Sequence, residues 1–89
     1  MLKIGMEEEI KGVSEYWKDL MPMMAMEEAG ELIQAISKYI RKGDLNDRRQ
    51  DLIDEIGDMY ISLEAIMRTF EIDTKEVEER IKNKLSKTY

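Results

Sequence analysis

Five carboxylates interrupt two stretches of the sequence that otherwise carry apolar residues at helical spacing. They are Glu27, Glu28 and Glu31 in MAMEEAGELIQAISKYIRKG, and Glu55 and Asp58 in DLIDEIGDMYISL. An ionised carboxylate buried without a partner is strongly unfavourable, so such residues must either face water or hold a cation. Oxygen ligands suit a hard ion, and Mg²⁺ or Mn²⁺ is expected where a few carboxylates leave positions for water and phosphate. The pattern therefore indicates metal-assisted binding of an anion.

The two acidic pairs take equivalent positions on their helices. At about 100° per residue, Glu28 lies about 80° from Ile36, which is the centre of the apolar stripe predicted for its helix, and Glu31 lies about 60° further round. Glu55 and Asp58 lie about 100° and 160° round from the stripe of the second helix, in the same rotational sense. Both pairs are therefore expected on one side of the molecule.

The pairs are also symmetric about a turn. Gly43 is the midpoint of Glu31 and Glu55, and equally of Glu28 and Asp58. If the two helices fold back on each other there, Glu31 faces Glu55 and Glu28 faces Asp58, about 18–22 Å from the turn at a rise of 1.5 Å per residue. Four carboxylates would then converge.

Four helices are predicted to position these residues. They run from Met6 to about Leu20, from about Met23 to Arg41, from a cap at Asp44 or Asn46 to about Phe70, and from Asp73 through Val77, Ile81 and Leu85. Pro22 suits a first helical turn, Gly43 suits a helix end, and Asp73 with Glu76 resembles a capping box. The sequence thus predicts an all-α fold: a single domain over residues 1–89, built as a small helical bundle on a central antiparallel hairpin.

Composition removes several classes of protein. The 89 residues contain no Cys and no His, which excludes thiol and imidazole catalysis and ordinary zinc sites. A net charge of −6 argues against non-specific nucleic-acid binding. The N-terminal residues lack the pattern of a signal peptide, and no stretch has the apolar length of a membrane span, so we expect a cytoplasmic protein that binds neither membrane nor nucleic acid.

Two other kinds of acidic site fail on the residues themselves. A di-iron bundle needs Glu-x-x-His pairs, which a chain without His cannot supply. The window from Asp44 to Glu55 matches a calcium-binding EF-hand loop at three positions, but Arg48 replaces a ligand and Arg49 replaces the turn glycine. Glu76 and Glu79 repeat the Glu-x-x-Glu spacing on the last helix without small or apolar neighbours, and we expect them to be solvated.

The paired motifs Glu27-Glu28-x-x-Glu31 and Glu55-x-x-Asp58 resemble the E-E-x-x-E and E-x-x-D signature of the MazG-like all-α nucleoside triphosphate pyrophosphohydrolases. The resemblance covers roughly residues 20–70. It implies that Mg²⁺, or Mn²⁺ in its place, is held by the last two acids of the first motif and both acids of the second. Water would then attack the α-phosphorus of a nucleoside triphosphate, releasing nucleoside monophosphate and pyrophosphate. Such displacements depend mainly on positioning and charge neutralisation, which a metal supplies.

Four further residues are candidates for the site, each with a plain alternative. Glu27 could support the metal ligands or hold the attacking water, or it could be solvated. Lys38 and Lys84 could reach phosphate, or they could be surface lysines. Trp17 could stack on a base, although a single Trp at helical spacing with apolar neighbours is more often a core residue.

Assembly is the last expectation from the sequence. A chain of this size buries only about 60% of its unfolded surface, and the third helix is apolar over an arc of roughly 140°. We therefore expect a homodimer or homotetramer, as the resemblance also implies. The leading reading is a Mg²⁺-dependent hydrolase acting on an ordinary or modified NTP or dNTP. The alternative is a non-catalytic helical module that senses nucleotide or binds a protein.

Overall fold

The structure is a computed structural model that describes residues 4–43 and 46–88. Over these residues the chain is helical with short connections and contains no strand, which confirms the all-α prediction. The elements are α1 (Glu7–Trp17), a 3₁₀ turn (Lys18–Leu20), α2 (Met21–Lys42), α3 (Asn46–Thr69) and α4 (Thr74–Thr88). In this part of the chain no helix combines the length and apolar content that crossing a bilayer requires.

The junction between α1 and α2 differs from the prediction. The first helix was expected to reach about Leu20, but it ends at Trp17 because Lys18 has a φ of 46° and a ψ of −118°, which an α-helix cannot continue. The second helix begins at Met21, two residues earlier than predicted, with Pro22 in its first turn as expected. The break therefore lies on the α1 side of the proline.

α2 and α3 form the hairpin on which the fold is built. Gly43 ends α2 with a φ of 85°, and its N–H donates to the Tyr39 carbonyl at 3.0 Å. The Arg48 guanidinium donates to the Lys42 carbonyl across the turn. Asp44, one of the two predicted caps, lies outside the described residues, while Asn46 begins the helix instead of preceding it. Because only residues 43–45 connect two long helices that pack along each other, the pair is antiparallel.

The continuous helix from Asn46 to Thr69 includes most of the EF-hand-like window, so these residues form no calcium-binding loop. This agrees with the rejection of that site from the sequence. Among the described residues, the buried residues of α3 all lie outside this window.

The buried seam of α2 is not where the sequence suggested. Ile36 was predicted at the centre of the stripe, but it is 41% exposed, whereas Met21 and Ala35 are buried. These two residues are separated by four helical turns, and Glu28 lies midway between them on the same line of the helix. The apolar arc of α2 is wider than one neighbouring helix can cover, and α3 packs against its edge of smaller residues. Glu28 is consequently closer to the packed seam than predicted.

The remaining helices differ in how firmly they are attached. α1 packs mainly against α3, and its residues Val13 and Trp17 line a cleft together with the buried Ser62. α4 makes few contacts with the other helices. Its start has the predicted capping box: the Asp73 N–H donates to the Glu76 carboxylate at 2.9 Å, and the Lys75 N–H donates to the Asp73 carboxylate at 3.2 Å. The radius of gyration is 14.9 Å, compared with about 12 Å for a compact chain of this length.

The end of α3 stores conformational strain in Glu71. Ile72 N–H donates to the Met67 carbonyl at 2.8 Å and Glu71 N–H to the Arg68 carbonyl at 3.3 Å, which is the Schellman arrangement. It requires a left-handed residue, and Glu71 has a φ of 54°. Glycine is favoured in this conformation because a Cβ atom makes it unfavourable by about 1–2 kcal/mol.

We therefore expect Glu71→Gly to raise the free energy of unfolding by about 0.5–1 kcal/mol, after the greater entropy of glycine in the unfolded chain is subtracted. Urea unfolding at a fixed protein concentration measures this change. Gln34→Gly is the control. Glycine in the exposed middle of α2 should lower the free energy of unfolding by about 1 kcal/mol. A Glu71→Gly protein no more stable than the parent would contradict the assignment of strain.

Candidate metal centre

Three carboxylates meet at the seam between α2 and α3. Glu28, Glu31 and Glu55 each offer one oxygen, and the three oxygens lie within 4.8 Å of one another. Glu28 and Glu31 are one turn apart on α2, and Glu55 reaches the same level from α3 because the two helices are antiparallel. Glu28 and Glu55 are half-buried, whereas Glu31 is exposed. The cluster is therefore open to solvent on the side of Glu31.

Asp58 is outside this group of three, contrary to the prediction that four carboxylates converge at one level. A residue three positions along a helix is rotated by about 60°, which turns Asp58 away from the seam and toward α1. Its charge is nevertheless near enough to raise the pKa of both Glu28 and Glu55. Asp58 thus borders the cluster.

The electrostatics of the cluster are unfavourable without a counter-charge. Burial raises the pKa of Glu28, followed by the charges of Glu31, Asp58 and Glu27. Burial also raises the pKa of Glu55, followed by the charges of Glu31, Asp58 and Glu28 and by a hydrogen bond with Glu31. Each of these effects opposes ionisation, because it places a carboxylate in a less polar or more negative environment.

Two buried oxygens in the cluster lack hydrogen-bond partners. They are Oε2 of Glu28 and Oε2 of Glu55, for which the described residues supply no donor. Buried polar atoms in proteins are normally paired, so these two oxygens have room for a ligand that carries positive charge. A small divalent cation with a preference for oxygen fits both the donor set and the charge. The residues present therefore suit Mg²⁺ or Mn²⁺.

A cleft of about 210 Å³ opens beside the cluster. Glu28 and Asp58 form its acidic part, and its other walls are apolar side chains from three helices together with Ser62: Val13, Trp17, Met21, Met24 and Ile61. Trp17 is half-buried and contacts Tyr16 edge to face, with ring centroids 5.0 Å apart and an angle of 84° between the planes. Trp17 is thus a wall of the cleft, while Tyr16 is 78% exposed.

Ser62 is a site residue that the sequence reasoning missed. It is 4% exposed, it lines the cleft, and among the described residues it makes no hydrogen bond. The signal available in the sequence was its spacing, since it follows Asp58 by four positions and so lies one turn further along the same side of α3. Its hydroxyl is the neutral polar group that faces this cleft.

The other predicted residues are not brought into the cluster. Glu27 is exposed and acts on the cluster through its charge on Glu28. Lys38 is exposed on α2, about 10 Å along the helix from Glu31 at 1.5 Å per residue. Lys84 is exposed on α4, which packs little against the hairpin. Glu79 is exposed as expected.

A comparison with protein families gives one match that covers most of the chain. The model of the MazG nucleotide pyrophosphohydrolase domain matches residues 18–88, which include α2, α3, α4 and all five acidic residues of the two motifs. Comparisons of the chain with curated proteins and with solved structures gave no match.

The raised pKa values predict how the metal-free protein responds to pH. Because the folded-state pKa values of Glu28 and Glu55 lie above their ordinary value of 4.5, the folded state binds more protons than the unfolded state just above that pH. Stability is therefore present below pH 4.5 and is lost as the pH rises through the folded-state values. In EDTA, the melting temperature should therefore fall as the pH rises above 4.5 and through the folded-state pKa values of these two carboxyls.

Two variants assign this slope to the cluster. The double variant Glu28→Gln, Glu55→Gln should flatten the dependence of the melting temperature on pH, because neither amide titrates. Glu79→Gln, a change of the same kind on an exposed face, should leave the slope as it is in the parent. An equal slope in all three proteins would show that these two carboxylates do not determine it.

A cation that neutralises the cluster should stabilise the fold. Mg²⁺ should raise the melting temperature above that seen in NaCl of equal ionic strength. At 100 times its dissociation constant it should raise the free energy of unfolding by about 2.7 kcal/mol. Glu55→Gln should blunt the response, whereas Glu79→Gln should retain it. If millimolar Mg²⁺ leaves the parent unchanged, the three carboxylates are a solvated surface.

Proposed function

The chain belongs to the MazG nucleotide pyrophosphohydrolase family, and we propose that it hydrolyses a nucleoside triphosphate, ordinary or modified, to nucleoside monophosphate and pyrophosphate with the help of Mg²⁺. The observation that carries the proposal is the cluster of Glu28, Glu31 and Glu55, in which two buried oxygens have no partner. A helical protein whose acids had only a structural role would not need to bury unpaired carboxylate oxygens at its central seam.

The metal would be held by the three clustered carboxylates, with Asp58 completing the set from the edge. When bound, Mg²⁺ supplies neutralisation of phosphate charge and a lower pKa for water. The chain's own carboxylates bind and orient. Glu28 and Glu55 fix the position of the cation because they are half-buried on rigid helices, and the exposure of Glu31 leaves the solvent side for the approach of a triphosphate.

The cleft beside the cluster suits the nucleoside end of the substrate. Its apolar walls exclude water, and Trp17 offers a ring face or edge to a base. The Ser62 hydroxyl can donate or accept one hydrogen bond there. Glu27, exposed beside Glu28, would accept a hydrogen bond from the attacking water. Lys38, exposed on the same helix, is a candidate to contact phosphate oxygens of the substrate.

A second copy of the chain is also part of the proposal. The hairpin exposes large apolar side chains on both helices, among them Met26, Ile33, Ile40, Leu63 and Phe70, which are 72%, 67%, 76%, 42% and 56% exposed. An exposed apolar surface of this kind is unusual for a monomer and typical of an interface. We expect a homodimer or homotetramer in which this face of the hairpin is covered.

Hydrolysis is tested with a panel of NTPs and dNTPs, first with Mg²⁺ and then with EDTA. The expected products are nucleoside monophosphate and pyrophosphate, and EDTA should abolish their release. Formation of orthophosphate and nucleoside diphosphate would contradict the position of the cleaved bond. Nucleotide binding without any product would support the sensing module in place of the hydrolase.

Substitution of the acids should separate catalysis from folding. Glu55→Gln and Asp58→Asn each remove a negative charge from the site without changing side-chain size, and each should lower kcat/KM by about 100-fold or more, because the metal loses a charged ligand. Circular dichroism should show unchanged helix content. Glu79→Gln is the matched control and should keep parental activity, whereas near-parental activity in Asp58→Asn would place the site elsewhere.

Light scattering tests the assembly. The mass in solution should be two or four times the 10.5 kDa of the chain. Ile33→Asp and Leu63→Asp each place a charge on the exposed face and should lower this mass, while Lys11→Asp on the polar surface of α1 should not. A folded and active protein of 10.5 kDa would contradict the proposal.

A further inference from the structure

A second, larger groove lies on a different face of α3 from the one that packs against α2. Its volume is about 1010 Å³, and it runs between the start of α1, a stripe of α3 and the turn that leads into α4. The α3 residues that line it include Ile53, Gly57, Tyr60 and Glu64, whose spacing marks one helical stripe. Asp58 also lines the groove, so it adjoins the acidic cluster at one edge.

The groove is lined by both apolar and acidic residues. Six carboxylates and one guanidinium, that of Arg68, contribute to its lining. The acids are Glu7, Asp54, Asp58, Glu64, Asp73 and Glu78. A ligand that matched this surface would present an apolar stripe between positive charges.

α4 has that pattern. Val77, Ile81 and Leu85 recur every four residues and form an apolar stripe, and Ile81 and Leu85 are 43% and 51% exposed. The last part of the helix, residues 80–88, contains Arg80, Lys82, Lys84 and Lys87 and no acidic residue. The chain as a whole has a net charge of −6, whereas this segment has four basic residues and no acidic one. This end of α4 is complementary to the groove in both charge and polarity.

The groove of the same chain is out of reach of this segment. Thr74 and Glu78 in the first turns of α4 form one end of the groove, and no later residue of α4 lines it. Because α4 is one continuous helix from Thr74 to Thr88, its basic end is carried away from the groove where the helix begins. This direction of α4 also accounts for its few contacts with the other helices and for the large radius of gyration.

Gly57 leaves room for another helix to come close. It lies in the middle of α3 and lines the groove, although glycine inside a helix lowers stability by about 0.5–1 kcal/mol relative to alanine. Apart from the backbone of its own helix, none of the described residues lies within 4 Å of the position that a Cβ atom would occupy. The space above Gly57 is therefore open to the backbone of a partner.

We propose that the basic apolar end of α4 docks in the groove of a second copy of this chain, and that the second copy returns the same contact. Such an exchange is a two-fold arrangement in which each groove receives the arm of its partner. It does not depend on hydrolysis, and it is a contact separate from the exposed face of the hairpin. Because Asp58 also lines the groove, the docked arm would bring positive charge near the acidic cluster.

Cross-linking between single-cysteine variants tests the exchange in the full-length protein. The chain has no cysteine of its own, so a short bismaleimide reacts only with introduced thiols. Isotopically labelled Tyr60→Cys, which places a thiol in the groove, is mixed with unlabelled Leu85→Cys on α4. A cross-link between a labelled and an unlabelled chain is expected. Gln34→Cys, exposed on α2, replaces Tyr60→Cys in the control and should give none.

Two outcomes would overturn the proposal. One is the absence of the mixed cross-link, including the case in which α4 binds instead to vesicles of phosphatidylcholine and phosphatidylserine in equal amounts. The other is a cross-link found only within one chain of the double variant Tyr60→Cys, Leu85→Cys. The charge reversal Lys82→Glu, Lys84→Glu should lower the mixed cross-link about tenfold, which corresponds to 1.4 kcal/mol. Glu64→Lys in the groove variant should restore it in part.

Groove filling gives a second readout that does not need cysteine on α4. Gly57→Leu should occupy the space that the arm of the partner approaches, and it should lower the fraction of assembled protein in light scattering. Gly12→Leu fills equally open space on α1 outside the groove and should not. Thermal melts establish that both variants are folded. Equal assembly in the two variants would contradict the docking site.

Discussion

Repulsion among carboxylates at the seam between α2 and α3 is the constraint to which the rest of this small protein is fitted. Glu28 lies on the line that joins the buried residues Met21 and Ala35, where a pair of packed helices would normally place an aliphatic side chain. Both Glu28 and Glu55 present a buried oxygen with no partner. The seam is therefore less stable than its length suggests, and the hairpin must be held in register by other means.

Local hydrogen bonds at the ends of the helices supply much of that register. Gly43 closes α2 through the Tyr39 carbonyl, and Arg48 at the start of α3 donates back to Lys42. A slip of one residue in either helix would rotate its side chains by about 100° and would separate Glu55 from the acids of α2. The few residues that determine the geometry of the turn therefore also determine whether the carboxylates converge.

The sequence predicted what depends on local chemistry and missed what depends on neighbours. The position of Pro22 in the first turn of α2, the glycine end of α2 and the capping box at Asp73 are properties of a few adjacent residues, and all three are found in the structure. The partial burial of α2 and the position of Asp58 outside the group of three depend on which edge of a wide apolar arc meets α3. Ser62 was missed for the same reason, since only the packing of α1 over α3 turns an ordinary serine into the wall of a cleft.

The two sides of the hairpin can serve different purposes because their residues are turned away from each other. On α2, Ile33 is rotated by about 140° from Glu28, and on α3 Leu63 is rotated by the same angle from Asp58. α1 packs on the acidic side and closes the cleft there, while the apolar side has no cover within the described part of the chain. A second subunit can therefore cover the apolar side and stabilise the helices without blocking the approach to the carboxylates. Larger core side chains on the acidic side would instead fill the cleft that Glu28 and Asp58 border.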